Sequence, residues 1–155
     1  MKLCFFDIDG TLVVPLYKDK NGNTVVGFTD EEWFEYCEKS SPEGYKYCKP
    51  VMPVIRYARQ RKEEGARLFV LSTAQSLGEI ESKKHYISEN FPGLFEDVLT
   101  VDKDSQKIEI MNKMAMDAGV EVKECELVED TYANILKAND AGFTATHISS
   151  LVCDL

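Results

Sequence analysis

The sequence predicts an α/β fold. Specifically, it predicts a Rossmann-like three-layer sandwich with a mostly parallel five-stranded sheet, plus a β-hairpin flap and a short insertion after the first strand. Short apolar runs alternate with longer stretches of helical period, the pattern of βα units around a parallel sheet. The first two runs are apolar without alternation, as strands buried on both faces are. Between them, residues 13–50 break the rhythm with turn and cap signals. At 155 residues the chain is expected to form a single domain, 1–155, able to bury a core without disulfide or metal staples.

Strands are predicted at residues 3–6, 68–71, 98–101, 126–128 and 144–148, with the first two in the middle of the sheet. Residues 13–28 read as a hairpin, because Asn21-Gly22 suits a two-residue turn and Thr24, Val25 and Val26 suit its return strand. Pro15 fits only an edge. Thr29 and Glu32 have capping-box spacing and open a short helix with Trp33, Phe34 and Cys37 inward. The stretch "SSPEGYKYCKPVMP" is irregular.

Helical faces follow the other strands. Val51, Ile55 and Ala58 share one face, ended by Gly65. Ser76 and Glu79 have capping-box spacing ahead of Ile80 and Ile87. Ile108, Met111, Ala115 and Ala118 precede Gly119, and Ile135 and Ala138 precede Gly142. The methionines Met111, Met114 and Met116 read as core gap-fillers.

Acidic residues outnumber basic ones, 27 to 18, and a net charge of -9 works against attraction to nucleic-acid backbones, so no nucleic-acid partner is expected. The cysteines Cys4, Cys37, Cys48, Cys125 and Cys153 are odd in number and contain no C-x-x-C pair. They read as reduced thiols in a cytoplasm rather than a disulfide framework or zinc knuckle. The first apolar run stops at Asp7, too short for a leader or a membrane span, so neither export nor a membrane is expected.

Packing gives no reason for two carboxylates directly after Leu3, Cys4, Phe5 and Phe6. In an extended chain Asp7 and Asp9 point the same way and Ile8 the other, which delivers both acids to the C-terminal end of the strand. That end of an open α/β sheet is where ligands sit. Gly10 permits close backbone approach and Thr11 adds a hydroxyl. Ser72 and Thr73 follow the second strand, Glu129 and Asp130 the fourth, and Lys103 and Lys107 start a helix between. Taken singly, the two hydroxyls are equally explained as helix caps and a lysine there as a solvated one.

Together these residues resemble the haloacid dehalogenase (HAD) superfamily in its phosphatase branch. "DIDGT" at 7–11, "FVLS" at 69–72, Lys107 and "VEDTYAN" at 128–134 stand in that family's order across nearly the whole chain. The resemblance implies Asp7 as the nucleophile forming an aspartyl phosphate. It implies Asp9 as general acid and base, its backbone carbonyl also on the metal. Lys107 would screen the nucleophile, Ser72 would donate to a phosphoryl oxygen, and Gly10, Thr11 and Thr73 would bind substrate. A carboxylate meets a phosphate dianion only if a cation offsets the repulsion, and Mg2+ on Asp7, Asp9 and Asp130 would supply it. Glu129 and Asn134 both stay open as further metal contacts. Lys107 is preferred to Lys103 because it leads directly into the helix, and His85 and His147 are read as structural or surface residues.

The implied activity is a Mg-dependent phosphomonoester hydrolase acting on a phosphorylated small molecule. The intervals after the first and second motifs leave no room for a large cap, so the site is expected to be open, or closed over by a second copy of the chain. Its rim would be the hairpin and the following irregular stretch, with Tyr45, Lys46, Tyr47 and Lys49 as contacts. Two other classes remain: a receiver-like phospho-acceptor module, and a non-catalytic homologue binding phosphate or a partner. Asp9 argues against dehalogenase chemistry. The third strand ends in "TVDKD" without a receiver's pattern.

Overall fold

The computed structural model describes residues 1–153. The chain runs β1 (Leu3–Phe6), β2 (Val13–Val14), β3 (Tyr17–Lys18), β4 (Thr24–Val25), α1 (Asp30–Ser40), β5 (Lys49–Pro50), α2 (Met52–Glu63) and β6 (Arg67–Thr73). It continues through α3 (Leu77–Asn90), β7 (Asp97–Val101), α4 (Lys107–Ala118), β8 (Cys125–Glu129), α5 (Tyr132–Asp140), β9 (Thr144–His147) and α6 (Ser149–Val152).

The central sheet has the order β7-β6-β1-β8-β9 and is parallel throughout. Every residue of β1 and β8 is buried, because helices cover both faces. Side chains alternate between two cores. Cys4 and Phe6 join Leu68, Val70 and Val128 under Val54, Ile55 and Ala58 of α2 and Tyr86 and Ile87 of α3. Leu3 and Phe5 join Phe69, Leu71 and Leu127 under Met111 and Ala115 of α4 and Ala138 of α5. The predicted three-layer α/β sandwich is therefore present. From β1 the chain winds outward to β6 and β7, then returns to β8 on the other side, which makes the β1/β8 edge the switch point where such sheets bind ligands.

Glu126 lies inside this sheet. Its carboxylate accepts from Arg61 Nε (3.1 Å), Thr146 Oγ1 (2.7 Å) and Tyr57 OH (2.5 Å), so the buried charge is paired and hydrogen-bonded. Burial and this carboxylate push the Cys4 thiol up to about 12. Cys4, Cys37, Cys48 and Cys125 are buried thiols, and no described helix is long and apolar enough to cross a membrane.

Several local expectations change. The hairpin proper is β3–β4, closed by Gly22 at φ +81° and by Asp19 Oδ1, which accepts from the backbone N–H of Asn21 and Asn23. Val13 and Val14 instead pair antiparallel with Pro50 and Lys49, joining the two ends of the excursion. The first capping box forms as predicted. Ser76 caps α3, but Glu79 accepts from Gln75 N–H and Trp33 Nε1 rather than returning to Ser76. Phe34 is 55% exposed and Met116 81%, because Trp33 and Cys37 face inward on α1 and Met111 and Ala115 on α4. Ala118 is also exposed, at the last position of α4 before the Gly119 cap. The last strand stops at His147, where Ile148 opens α6.

Helix α1 docks on α3, not on the sheet. Trp33 donates to Glu79 (2.9 Å), Gly78 N–H to Glu38 (3.1 Å) and Ser41 to Glu81 (2.9 Å). Beneath the hairpin Tyr17 meets Trp33 edge-on at 4.9 Å and Phe28 stacks on Tyr36 at 5.0 Å. A Cβ added at Gly78 would lie 2.6 Å from the Cys37 carbonyl oxygen, so only glycine permits this approach. Gly78→Ala should destabilise the chain by about 1–3 kcal/mol, as overpacking does, and speed proteolysis within residues 13–50. Unchanged denaturation and cleavage would show that the helices do not approach this closely.

Candidate active site

Asp7 N–H donates to the Val128 carbonyl (3.1 Å), which carries the β1/β8 ladder one residue past Phe6 and sends the Asp7 side chain out at the switch point. The chain then turns tightly, with Thr11, Leu12 and Val13 N–H all donating to the Ile8 carbonyl while Ile8 is buried. Gly10 closes the turn at φ +75°, and a Cβ there would lie 2.2 Å from Asp130 Oδ2. Glycine is thus required both by the backbone and by the carboxylate lying over it.

Carboxylate oxygens of Asp7, Glu129 and Asp130 lie within 4.8 Å of one another. Lys107 Nζ, 3% exposed, sits 3.2 Å from Asp7 Oδ1 and 2.9 Å from Glu129 Oε2. Burial pushes the Asp7 carboxyl well above its ordinary value; Lys107 opposes this, and Glu129 and Asp9 add to it. Burial works against the Lys107 charge, but Asp7 and Glu129 outweigh it and hold the lysine protonated. Asp130 is pushed up to about 6 by burial and then by Glu129.

One lysine thus faces three converging acids, an imbalance that suits a cation. Oxygen-only donors of this kind fit a hard ion such as Mg2+. Glu129 is otherwise engaged: Oε1 accepts from Asp130 and Thr131 N–H, and Oε2 from Lys107 and Asn134 Nδ2 (3.1 Å). Asn134 thereby anchors Glu129.

Asp9 stands apart from this group. Its Oδ1 accepts from Tyr17 OH (2.6 Å), its Oδ2 from Tyr45 OH (3.0 Å), and Lys83 Nζ is 3.7 Å away. Burial raises both phenols, so they remain protonated donors. Ser72 is buried and accepts from Lys83 Nζ (2.8 Å). Lys83, 1% exposed, also donates to the Thr73 carbonyl and pairs with Glu79 (2.8 Å). The Thr73 hydroxyl donates to Asp104 (2.6 Å) and that of Thr11 to Asp130 (3.4 Å).

Of the residues singled out from sequence, Asp7, Lys107, Glu129 and Asp130 are brought together, with Gly10 beneath them. Lys103 is exposed on the turn before α4 and makes none of these contacts. Tyr45 is no rim contact, being wholly buried against Asp9. Lys46 and Tyr47 line a separate groove behind the hairpin, and Lys49 is exposed in β5. His147 stacks on Tyr132 and places Nε2 2.9 Å from the Asp130 carbonyl, while His85 pairs with Glu43 at the surface. Lys83 and Tyr17 escaped sequence reasoning, and Glu79 was read only as a helix cap. The one usable signal was Glu79–Lys83 at i, i+4 on the helix following Ser72.

A cleft of about 470 Å³ opens beside this group, lined among others by Asp9, Gly10, Lys83 and Asp130 and, from the 13–50 excursion, by Pro15, Val26, Phe28 and Trp33.

No family model and no curated protein matches the sequence. Solved structures do match the fold. A predicted phosphoglycolate phosphatase from Haemophilus somnus is 17% identical at a TM-score of 0.60, over 94% of this chain and 84% of that one. A HAD family enzyme from Bacteroides thetaiotaomicron, in complex with magnesium and inorganic phosphate, is 16% identical at 0.57, over 95% and 93%. The 3-deoxy-D-manno-octulosonate 8-phosphate phosphatase from Moraxella catarrhalis, with magnesium, phosphate and KDO, is 14% identical at 0.53, over 94% and 67%. At such identities the likeness establishes the fold, and that fold is the haloacid dehalogenase one.

Proposed function

We propose that this chain, with its haloacid dehalogenase fold, is a magnesium-dependent phosphomonoester hydrolase acting through an aspartyl phosphate on Asp7. The observation that carries the reading is the meeting of Asp7, Glu129 and Asp130 oxygens within 4.8 Å at the switch point, with Lys107 on Asp7. Magnesium held by the Asp7 and Asp130 carboxylates and the Asp9 backbone carbonyl would supply the positive charge that lets a carboxylate meet a phosphoryl group.

An Asp7 oxygen forms the new bond to phosphorus as the ester oxygen leaves, and Asp9 gives that oxygen its proton. Asp9 then takes a proton from water as the water displaces Asp7 and frees phosphate. Asp9 must turn from Tyr17 and Tyr45 toward the leaving group to do so. Lys107 orients Asp7 and offsets its charge. Because Ser72 Oγ already accepts from Lys83, its own proton is free for a phosphoryl oxygen. The Gly10 N–H is spent on the Val13 carbonyl, and the Thr11 and Thr73 hydroxyls are engaged with protein carboxylates.

The sheet order also favours this reading over a receiver. Receivers carry the acceptor on the third strand in sequence, the central one of a 2-1-3-4-5 sheet, whereas here the central strand is the first in sequence, followed by Asp7, and the order, in those terms, is 3-2-1-4-5. Hydrolysis of p-nitrophenyl phosphate with magnesium tests the proposal. EDTA should abolish turnover and added magnesium restore it. Turnover indifferent to chelation would overturn the metal assignment, and phosphate retained on the chain without turnover would favour the receiver.

A further inference from the structure

We infer that the cleft beside Asp9 selects phosphomonoesters whose leaving alcohol is uncharged and presents an apolar face, and rejects esters that carry a second anionic group. The inference deepens the hydrolase reading above and rests on it. Asp9, Asp30, Glu79 and Asp130 all line the cleft. Among the described residues, the cation lining it is Lys83.

That cation has no donor to offer. An ammonium group carries three N–H donors, and those of Lys83 go to Ser72 Oγ, the Thr73 carbonyl and Glu79, with Asp9 beside it at 3.7 Å. Lys107 is buried behind the acids and held between Asp7 and Glu129. Once the phosphoryl group is in place, a carboxylate or second phosphate on the leaving group meets an excess of like charge, four acids against a lysine whose donors are spent. The rest of the lining offers apolar surface. Pro15, Phe28 and Trp33 contribute it, Trp33 beside Glu79, and Val26 stands 72% exposed, so an apolar leaving group would remove this surface from water.

Trp33 is the chain's only tryptophan, so its fluorescence reports on the cleft directly. The test titrates Asp7→Asn protein, with magnesium, with phosphoglycolate and with its amide, 2-phosphooxyacetamide, which differs by a single charge. The amide should bind about 10-fold more tightly than the acid, a difference one uncompensated like charge readily produces. Phenyl phosphate should bind at least as tightly as the amide. Asp30→Asn in the same background should tighten the acid several-fold and leave the amide unchanged. Equal or tighter binding of the acid, or no fluorescence response to any of the three, would overturn the inference. Wild-type turnover of p-nitrophenyl phosphate separates the two readings. Selectivity without turnover supports the cleft assignment while removing the hydrolase, and turnover with reversed selectivity does the opposite.

Discussion

Asp7→Asn should lower turnover of p-nitrophenyl phosphate with magnesium by about 1000-fold or more, equivalent to about 4 kcal/mol of lost transition-state stabilisation. Asparagine keeps the shape of aspartate, but its amide oxygen is a poor nucleophile and carries no charge for the metal. The same substitution should not unfold the chain. Burial raises the Asp7 carboxyl well above its ordinary value, so above the ordinary carboxylate range the folded state holds a charged group that prefers to be neutral. In EDTA at neutral pH, a neutral asparagine relieves that cost, and the Tm should equal or exceed that of the wild type. Magnesium should reverse the order, because the wild type gains a ligand that the variant binds less well. Steady-state rates and thermal melts with and without EDTA check both halves. Unchanged turnover would remove Asp7 from the chemistry.

Lys107→Met should damage both activity and stability. Lys107 is the cation between two buried acids, at 3.2 Å from Asp7 and 2.9 Å from Glu129, and Glu129 is wholly buried. Removing one partner of a buried ionic group leaves uncompensated charge, which costs about 3–5 kcal/mol. The loss should be largest in EDTA and shrink when magnesium is added, since a divalent ion near Asp7 replaces part of the missing charge. Turnover should fall by about 100-fold or more, as Asp7 loses the group that orients it and offsets its charge. Melts in the two conditions test the electrostatic account. A variant as stable as the wild type without metal would show that Lys107 does not hold these acids together.

Much of the site was legible because its residues sit at the ends of regular elements. Asp7 follows an apolar run, and Lys107 opens a helix while Lys103 stays on the preceding turn. Periodicity alone places such residues on the same edge of a parallel sheet. The environment of Asp9 was not legible. Tyr17 reaches it from the hairpin, Tyr45 from an irregular stretch and Lys83 from the middle of a helix, and no local period links positions 9, 17, 45 and 83. Phe34 misled for the opposite reason. It lies near the inward stripe of α1, but that helix packs on α3 rather than the sheet, and the stripe that faces inward carries Trp33 and Cys37.

The sequence by itself determined the parallel α/β sheet, the nucleophile candidate with its neighbouring acids, and the lysine that accompanies them. Each is encoded by a chain direction or a spacing of a few residues, and backbone geometry converts such spacings into shared faces. Only the tertiary structure decided that Asp9 rests on two tyrosines, that Glu129 anchors Lys107, and that the cleft gathers acidic and apolar residues together. Those outcomes depend on which helix docks where, and docking is chosen by burial summed over contacts far apart in sequence, which no local pattern records.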